Sequence, residues 1–403
     1  MLAKKILVRP GKCLHPETPV LMWHTEQSVF KKAKDIQVGD VLVGDDNTPR
    51  NVLSICSGEE QMYRIKQNKG DSYIVNESHI LSLKMTTHKS HCWFEDFQSY
   101  GLFWLKGQKK TSKFFSVRKF GTREMALEKM LEFRGTITDD NSVDISVRDY
   151  LKLSTAYRKE LKGFKAGIGF PEQKINLDPY ILGCWLGDGT SNITSIDEEI
   201  LDSFSELKVK QGIGKNSITY RIANKNKNCL KQYNLLTNKH IPKEYLQNSR
   251  ENRLKLLAGL LDTDGYLDRE DNIYEITQKN KSLSSEIVYL CRSLGFYCSQ
   301  KECIKSWTYK NEIKYETYYR SIISGEGLEE IPCKLKRKQS VSTVRRTDFL
   351  LTGIEIEKLE SGQYCGFTLD GNSRFLLGDF TVTHNTFRFN LASTKSFNAK
   401  SWH

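Results

Sequence analysis

The chain has 403 residues, 27% of them charged and 38% hydrophobic, with a net charge of +12. The length predicts two or more domains, and the basic balance is compatible equally with a polyanionic partner, nucleic acid first, and with a merely soluble basic surface. Ten cysteines include no CxxC pair, which argues against a zinc site or a disulfide scaffold and for reduced thiols. No run reaches the roughly 18 apolar residues of a membrane helix, and the start at Met1-Leu2-Ala3-Lys4-Lys5 carries no apolar leader.

From residue 13 to 92 the chain reads as short strands, at 18–23, 38–43, 51–55, 62–65, 73–75 and 79–83, separated by polar turns such as Gly44-Asp45-Asp46-Asn47. That spacing predicts an all-β module. Residues 93–142 change character. Trp93, Phe94, Phe97, Tyr100, Phe103 and Trp104 interleave with Lys106, Lys109, Lys110 and Lys113 ahead of a helix over 123–133. The expectation is a small DNA-contacting insert, loosely similar to plant-type three-strand-plus-helix DNA-binding domains; the plainer reading is a mini-core with a solvated basic face. Residues 143–174 read as a return to the β module, with a strand at 144–147 and a helical turn at 149–153.

Residues 175–345 read as α/β with an internal repeat: helical segments at 179–189 and 253–265 are related, and Ile241-Pro242 is echoed by Ile331-Pro332. The basic stretch 334–346 reads as a linker or a DNA-facing strip. From 346 to 385 the chain is β-like again, at 352–356, 366–369, 375–377 and 380–383.

Three features of the flanking β parts belong together: Cys13 opening Cys13-Leu14-His15-Pro16; His79 within Val75-Asn76-Glu77-Ser78-His79; and His384-Asn385-Thr386 after Gly378-Asp379-Phe380-Thr381-Val382-Thr383. Together they resemble the splicing blocks of inteins, the ending being similar to inteins of eukaryotic nuclear and large-DNA-virus genes. A thiol is the best side-chain nucleophile near neutral pH, and imidazole suits general-acid work. The resemblance implies that Cys13 attacks the carbonyl of Lys12 to form a thioester and that His79 protonates the leaving amide nitrogen. Thr386 then takes the acyl group, and Asn385 cyclises with help from His384. Splicing needs no cofactor. Asn76 stands where most inteins carry Thr, and is expected to hydrogen-bond the scissile backbone instead. Gly366 and Ser373 stand where family members often carry Asp and His, which puts the cyclisation rate in question.

The central repeats read Ile181-Leu182-Gly183-Cys184-Trp185-Leu186-Gly187-Asp188-Gly189 and Leu257-Ala258-Gly259-Leu260-Leu261-Asp262-Thr263-Asp264-Gly265. The second resembles the LAGLIDADG motif of homing endonucleases with two changes, and the first is a looser copy. Small residues four apart let two helices approach closely, and Asp178-Pro179 suits an N-cap and first turn. Crossed helices would bring Asp188 and Asp264 together as ligands for Mg²⁺. Lys239-His240-Ile241-Pro242 resembles the family's Lys-x-Ile-Pro segment, which implies an active-site role for Lys239, and Lys314 is expected as its counterpart in the second repeat.

The resemblance therefore implies a multidomain chain: an all-β Hint splicing domain split by insertion, plus an α/β LAGLIDADG endonuclease with a pseudo-two-fold repeat. Residues 1–12 and 386–403 are expected to be host flanks (exteins), and the run from Thr386 to Ala399 resembles the RNA polymerase largest subunit. Expected partners are double-stranded DNA at the intein-free host site and the extein sequences, with no membrane partner, for a monomer that follows its host in cytoplasm or nucleus. The alternatives are a splicing element whose centre binds DNA without cutting it, and a hedgehog-type autoprocessing domain. Asp188 and Asp264 argue against the first, and the His384-Asn385-Thr386 junction argues against the second.

Overall fold

A computed structural model of the chain describes residues 13–23, 29–107, 109–190, 192–204, 219–309, 312–342 and 348–385. The expected flanks, including Thr386, lie outside the described residues.

The β parts from the two ends of the chain share their sheets. The long strand Pro49–Gln67 runs antiparallel to Ile354–Leu369, from Val52 opposite Leu369 to Gln67 opposite Ile354. Tyr73–Asn76 pairs with the same long strand, Asn76 standing opposite Met62. In a six-stranded sheet, Ile80–Met85 pairs with Ser142–Ser146, with Leu161–Phe164 and, at Ile80, with His384. Residues 142–146 and 161–164 are thus strands of the β unit. Its core packs Leu14, Val52, Ile65, Val75, Leu81, Leu83, Phe367 and Phe375, the aliphatic and aromatic side chains that fit a pleated, half-buried surface.

The basic insert is a three-stranded sheet, Ser90–Phe94, Ser99–Lys106 and Lys109–Ser116, with the helix Arg123–Gly135 capped by the Thr122 hydroxyl. Leu102, Trp104, Phe115, Met130 and Ile137 form a small core of their own. The expected boundary between residues 92 and 93 falls inside the first strand, because Ser90–Phe94 pairs along its whole length with Ser99–Lys106.

In the central part the helix Pro179–Asp188 crosses Arg250–Asp264. The second of these leads into a four-stranded antiparallel sheet ordered Gly265–Asp268, Ile273–Gln278, Glu312–Ser324, Tyr297–Tyr309, covered by the helix Lys281–Ser293 through Leu283, Ile287 and Leu290. The central core is continuous with the β unit. The Tyr289 and Phe380 rings meet at 5.3 Å, and buried Arg253 donates to the Ile168 carbonyl at 2.6 Å, to Ser293 Oγ at 2.7 Å and to the Asn248 carbonyl at 2.9 Å. A buried guanidinium without such partners would cost several kcal/mol, so Arg253 pins the connecting segment to the central part. No helix among the described residues is long and apolar enough to cross a membrane.

Candidate functional site

Two clusters gather most of the residues singled out in the sequence. The first lies in the β unit. Cys13 is fully buried, and its backbone N–H donates to Asn76 Oδ1 at 2.9 Å. The Asn76 N–H donates in return to the Cys13 carbonyl at 3.2 Å, and Asn76 Nδ2 donates to Glu60 Oε2 at 2.5 Å. Asn76 is buried at the end of its strand, so its side-chain oxygen and its backbone N–H together hold the Cys13 N–H and carbonyl.

Cys13 Sγ lies 3.8 Å from Cys56 Sγ. Gly366 lies against both sulfurs: a Cβ there would meet Cys56 Sγ at 3.0 Å and collide with Cys13 Sγ. Glycine at this position is therefore what admits the buried nucleophile. The hydrogen bond to Cys56, with burial second, pushes the Cys13 thiol well up; the same bond pulls Cys56 down to about 7.

His79 is buried, its Nε2 2.7 Å from Thr383 Oγ1. Thr383 belongs to the last strand, Val382–His384. Asn385 follows, its N–H donating to the Ser373 carbonyl at 3.0 Å. Ser373, with φ 61°, thus contributes its backbone rather than a side chain to this end of the site. Asn385 is 1% exposed, and its Nδ2 has no hydrogen-bond partner among the described residues. An unmade buried donor costs about 1–3 kcal/mol; this one is the atom that would attack in a cyclisation. The turn leading here is held by buried Lys165, which pairs with Asp379 and donates to Thr381 Oγ1 at 3.0 Å.

The second cluster sits where the two motif helices cross. Asp178 Oδ1 caps the first, accepting from the N–H of Tyr180 at 2.9 Å and of Ile181 at 3.2 Å. A Cβ on Gly183 would come 3.0 Å from Gly259 Cα, and one on Gly187 would run into Thr263 Oγ1, so the small residues permit direct backbone contact. Asp188 and Asp264 come to the same end of the pair. Asp188 is held above the usual carboxylate range by loss of hydration and then by the Asp264 charge; burial likewise raises Asp264, which accepts from Gln278 Nε2 at 2.5 Å.

Lys239 Nζ donates to the carbonyls of Leu186 and Gly187, both at 2.8 Å, at the C-terminal end of the first helix. Cations belong there, on the unsatisfied carbonyls and the negative end of the helix dipole. The lysine that does the same for the second helix is Lys338, donating to the carbonyls of Leu261 at 2.9 Å, Asp262 at 2.7 Å and Thr263 at 3.2 Å. The expectation for Lys314 is corrected: it stands exposed in the strand Glu312–Ser324, opposite Trp307. The first lysine precedes its Ile-Pro and the second follows, so sequence spacing pointed to the wrong residue. The strip around it is not a free linker either: Arg337 pairs with Asp197 at 2.7 Å, and Lys334 Nζ donates to Ser203 Oγ at 2.8 Å.

Two acids alone do not make a complete metal cage, and no cluster of three or more His, Cys, Asp or Glu that could hold a metal occurs among the described residues. The pair nevertheless fits a hard cation that keeps its waters or takes phosphate oxygens, because both carboxyls are raised by burial and one also by the other's charge.

In the insert, the Arg123 guanidinium lies 4.3 Å over Trp93, and the Trp93 and Tyr100 rings meet tilted at 4.8 Å, while Phe97 and Phe114 are exposed.

A family described as "Hom_end-associated Hint" matches residues 13–384. The chain is 25% identical over 397 residues to the replicative DNA helicase DnaB of Mycobacterium intracellulare, covering 94% of this chain and 60% of that protein. It is 24% identical over 439 residues to the ATP-dependent DNA helicase Hel308 of Thermococcus kodakarensis, covering 97% and 37%. It therefore spans less than two thirds of either relative. Similar solved structures include a gp41-1 intein variant at 26% identity (TM-score 0.16, 19% of this chain and 54% of that one). Another is a mesophilic variant of the homing endonuclease I-DmoI at 19% identity (TM-score 0.24, 36% and 87%). The family match runs from the buried Cys13 to His384 and takes in the second cluster and all of the first but Asn385: the chain belongs to the homing-endonuclease-associated Hint family, as an intein with an endonuclease built into it.

Proposed function

We propose that the chain excises itself from a host protein by splicing, and that its central part makes a double-strand cut in DNA at the intein-free site. On this reading residues 13–89, 143–174 and 346–385 are one Hint domain split by insertion, the insert that begins with the strand Ser90–Phe94 and runs to residue 142 contacts DNA, and the two helices of residues 175–345 are related by a pseudo-two-fold axis. The observation that carries the reading is the bond from the Cys13 N–H to Asn76 Oδ1, which holds the scissile amide nitrogen beside a buried thiol.

Cys13 Sγ attacks the Lys12 carbonyl carbon, and the Lys12–Cys13 peptide bond becomes a thioester. His79, its Nε2 held by Thr383, protonates the leaving nitrogen. The Thr386 hydroxyl displaces the thiolate, and Asn385 Nδ2 attacks its own carbonyl carbon, releasing Thr386 with His384 as proton donor. An O-to-N shift joins Lys12 to Thr386.

In the second cluster Asp188 and Asp264 would hold Mg²⁺, which when bound supplies Lewis-acid stabilisation of the attacking and leaving oxygens of a phosphodiester. Lys239 and Lys338 place positive charge beside both acids, where they orient water and stabilise phosphate charge. The basic surface would give affinity that falls steeply with salt.

Intact-mass analysis of the expressed chain under reducing conditions tests the reading. Splicing yields a product of residues 13–385 and a ligated flank peptide; full-length chain alone, with longer flanks supplied, would refute it.

A further inference from the structure

The nucleophile is in a poor place to ionise. Cys13 is fully buried, and its hydrogen bond to Cys56, then burial, then the charges of Cys56 and Glu60 all oppose its ionisation. Gly366 offers no side chain to help. What does touch the thiol is Cys56 Sγ, at 3.8 Å, a distance suited to S–H···S⁻. Cys56 is half-buried, so water can stabilise a charge on it that it cannot stabilise on Cys13.

The strand register shows how the contact arises. Cys365 and Leu14 exchange both backbone hydrogen bonds, at 2.8 and 2.9 Å, and Gly366 stands opposite Cys56. Cys13 therefore lies on one side of Gly366 and Cys56 on the other. The two thiols reach across the strand that separates them, through the gap left by the missing Cβ. Two strand spacings amount to about 9–10 Å between backbones, beyond the ~7 Å at which a disulfide closes without backbone movement. The contact is built for a shared proton and not for a bond between sulfurs.

We infer that Cys56 is the proton acceptor that activates Cys13, a further catalytic residue of the splicing reaction proposed above, on which this inference rests. The proton leaves Cys13 Sγ for Cys56 Sγ. Cys13 Sγ bonds to the Lys12 carbonyl carbon, the bond from that carbon to the Cys13 nitrogen breaks, and the nitrogen takes its proton from His79. Cys56 then returns its proton to the emptied imidazole through solvent. The step is an isomerisation and needs no oxidant. An acceptor at about 7 is matched to neutral pH, where a general base works best. The surroundings bear on the profile: Cys365, Glu60 and Tyr364 face the pair, and Lys34 and Asp35 lie beside Cys365.

The test uses the full chain carrying Asn385→Ala, so that only the first step is read, in a phosphine reductant with dithiothreitol raised until the rate of N-terminal release no longer depends on it. With Cys56 present, the rate should rise to a plateau with a midpoint near pH 7. Cys56→Ser keeps the size of the side chain without an ionisable thiol, and Cys56→Ala removes the polar atom. Both should release at least about tenfold more slowly at pH 7, with the midpoint moved up by one unit or more and the deficit closing above about pH 9. An unchanged profile overturns the inference, and so does a loss equal at every pH, which marks a packing role. If the parent with Cys56 intact releases nothing at any pH, the splicing reading itself fails and this inference with it. Retained C-terminal cleavage in the Cys56 variants with Asn385 restored shows that they fold.

Discussion

His79 Nε2 stands 2.7 Å from Thr383 Oγ1, so the proton donor proposed for the first step is held by the residue next to His384. Among the contacts that join the two β parts, this bond ties His79 to the neighbour of His384, and His79 and His384 are proposed to act in successive steps. Thr383→Val keeps the shape and removes the hydroxyl, leaving a buried imidazole nitrogen unpaired at a cost of about 1–3 kcal/mol. N-terminal release by dithiothreitol should slow at least about tenfold, while Thr383→Ser should restore most of it. Equal rates in Thr383→Val and the parent would show that the bond has no part in the step.

Asn76 should act through its oxygen. Asn76→Ala removes the acceptor of the Cys13 N–H, and N-terminal release should fall by about a hundredfold with C-terminal cleavage less affected, a loss on the scale of one oriented polar group. Asn76→Thr, which supplies a hydroxyl acceptor, should keep more activity than Asn76→Ala. A gel separating the two cleavage products reads both steps at once.

Cys13, His79, His384 and Asn385 stood out in the sequence because together they resemble splicing blocks, and Asn76 stood out as a departure from them. Cys56 and Thr383 did not, because the contacts behind the roles proposed for them come from register: Cys56 reaches Cys13 past Gly366, which lies opposite it. The ribbon Pro49–Gln67 with Ile354–Leu369 read as short fragments for a related reason. Its middle, with Glu59, Glu60, Glu357 and Lys358, buries little, so no alternating pattern marks it as one strand. The motif helices were plain from their glycines, whose close contacts the fold uses directly.

Burial holds Asp264 above the usual carboxylate range, so the folded state binds its proton more tightly than the unfolded chain does. The stability this contributes is complete at low pH and is lost as pH rises through the ordinary carboxylate range into the raised one. At pH 7 the ionised pair therefore costs stability. Asp264→Asn should melt higher than the parent at pH 7, and the difference should shrink toward pH 4. Mg²⁺ should raise the parent's melting temperature, as any ligand of the folded state does, and should not raise that of Asp188→Asn, Asp264→Asn. The double variant should lose DNA cutting and keep splicing; a melting response to Mg²⁺ unchanged in it would dismiss the acids as ligands.

Lys239 and Lys338 each seat an ammonium group on the last carbonyls of one motif helix, and each lies within electrostatic reach of the acids: both stabilise the charged forms of Asp188 and Asp264. Burial lowers both seated lysines, so each is the less hydrated, more directed charge that a phosphate transition state calls for. Lys338→Met should cut plasmid DNA about a hundredfold more slowly than the parent, on the scale of losing one such group, and Lys239→Met should resemble it. If each lysine serves one strand, either single variant should accumulate nicked circles before linear DNA. Lys314→Met should cut at the parental rate. A rate loss in Lys314→Met with parental cutting by Lys338→Met would reverse the assignment. The losses should not come from unfolding: removing one ammonium from a helix C-terminus costs about 0.3–1 kcal/mol, which a thermal melt beside each plasmid assay resolves.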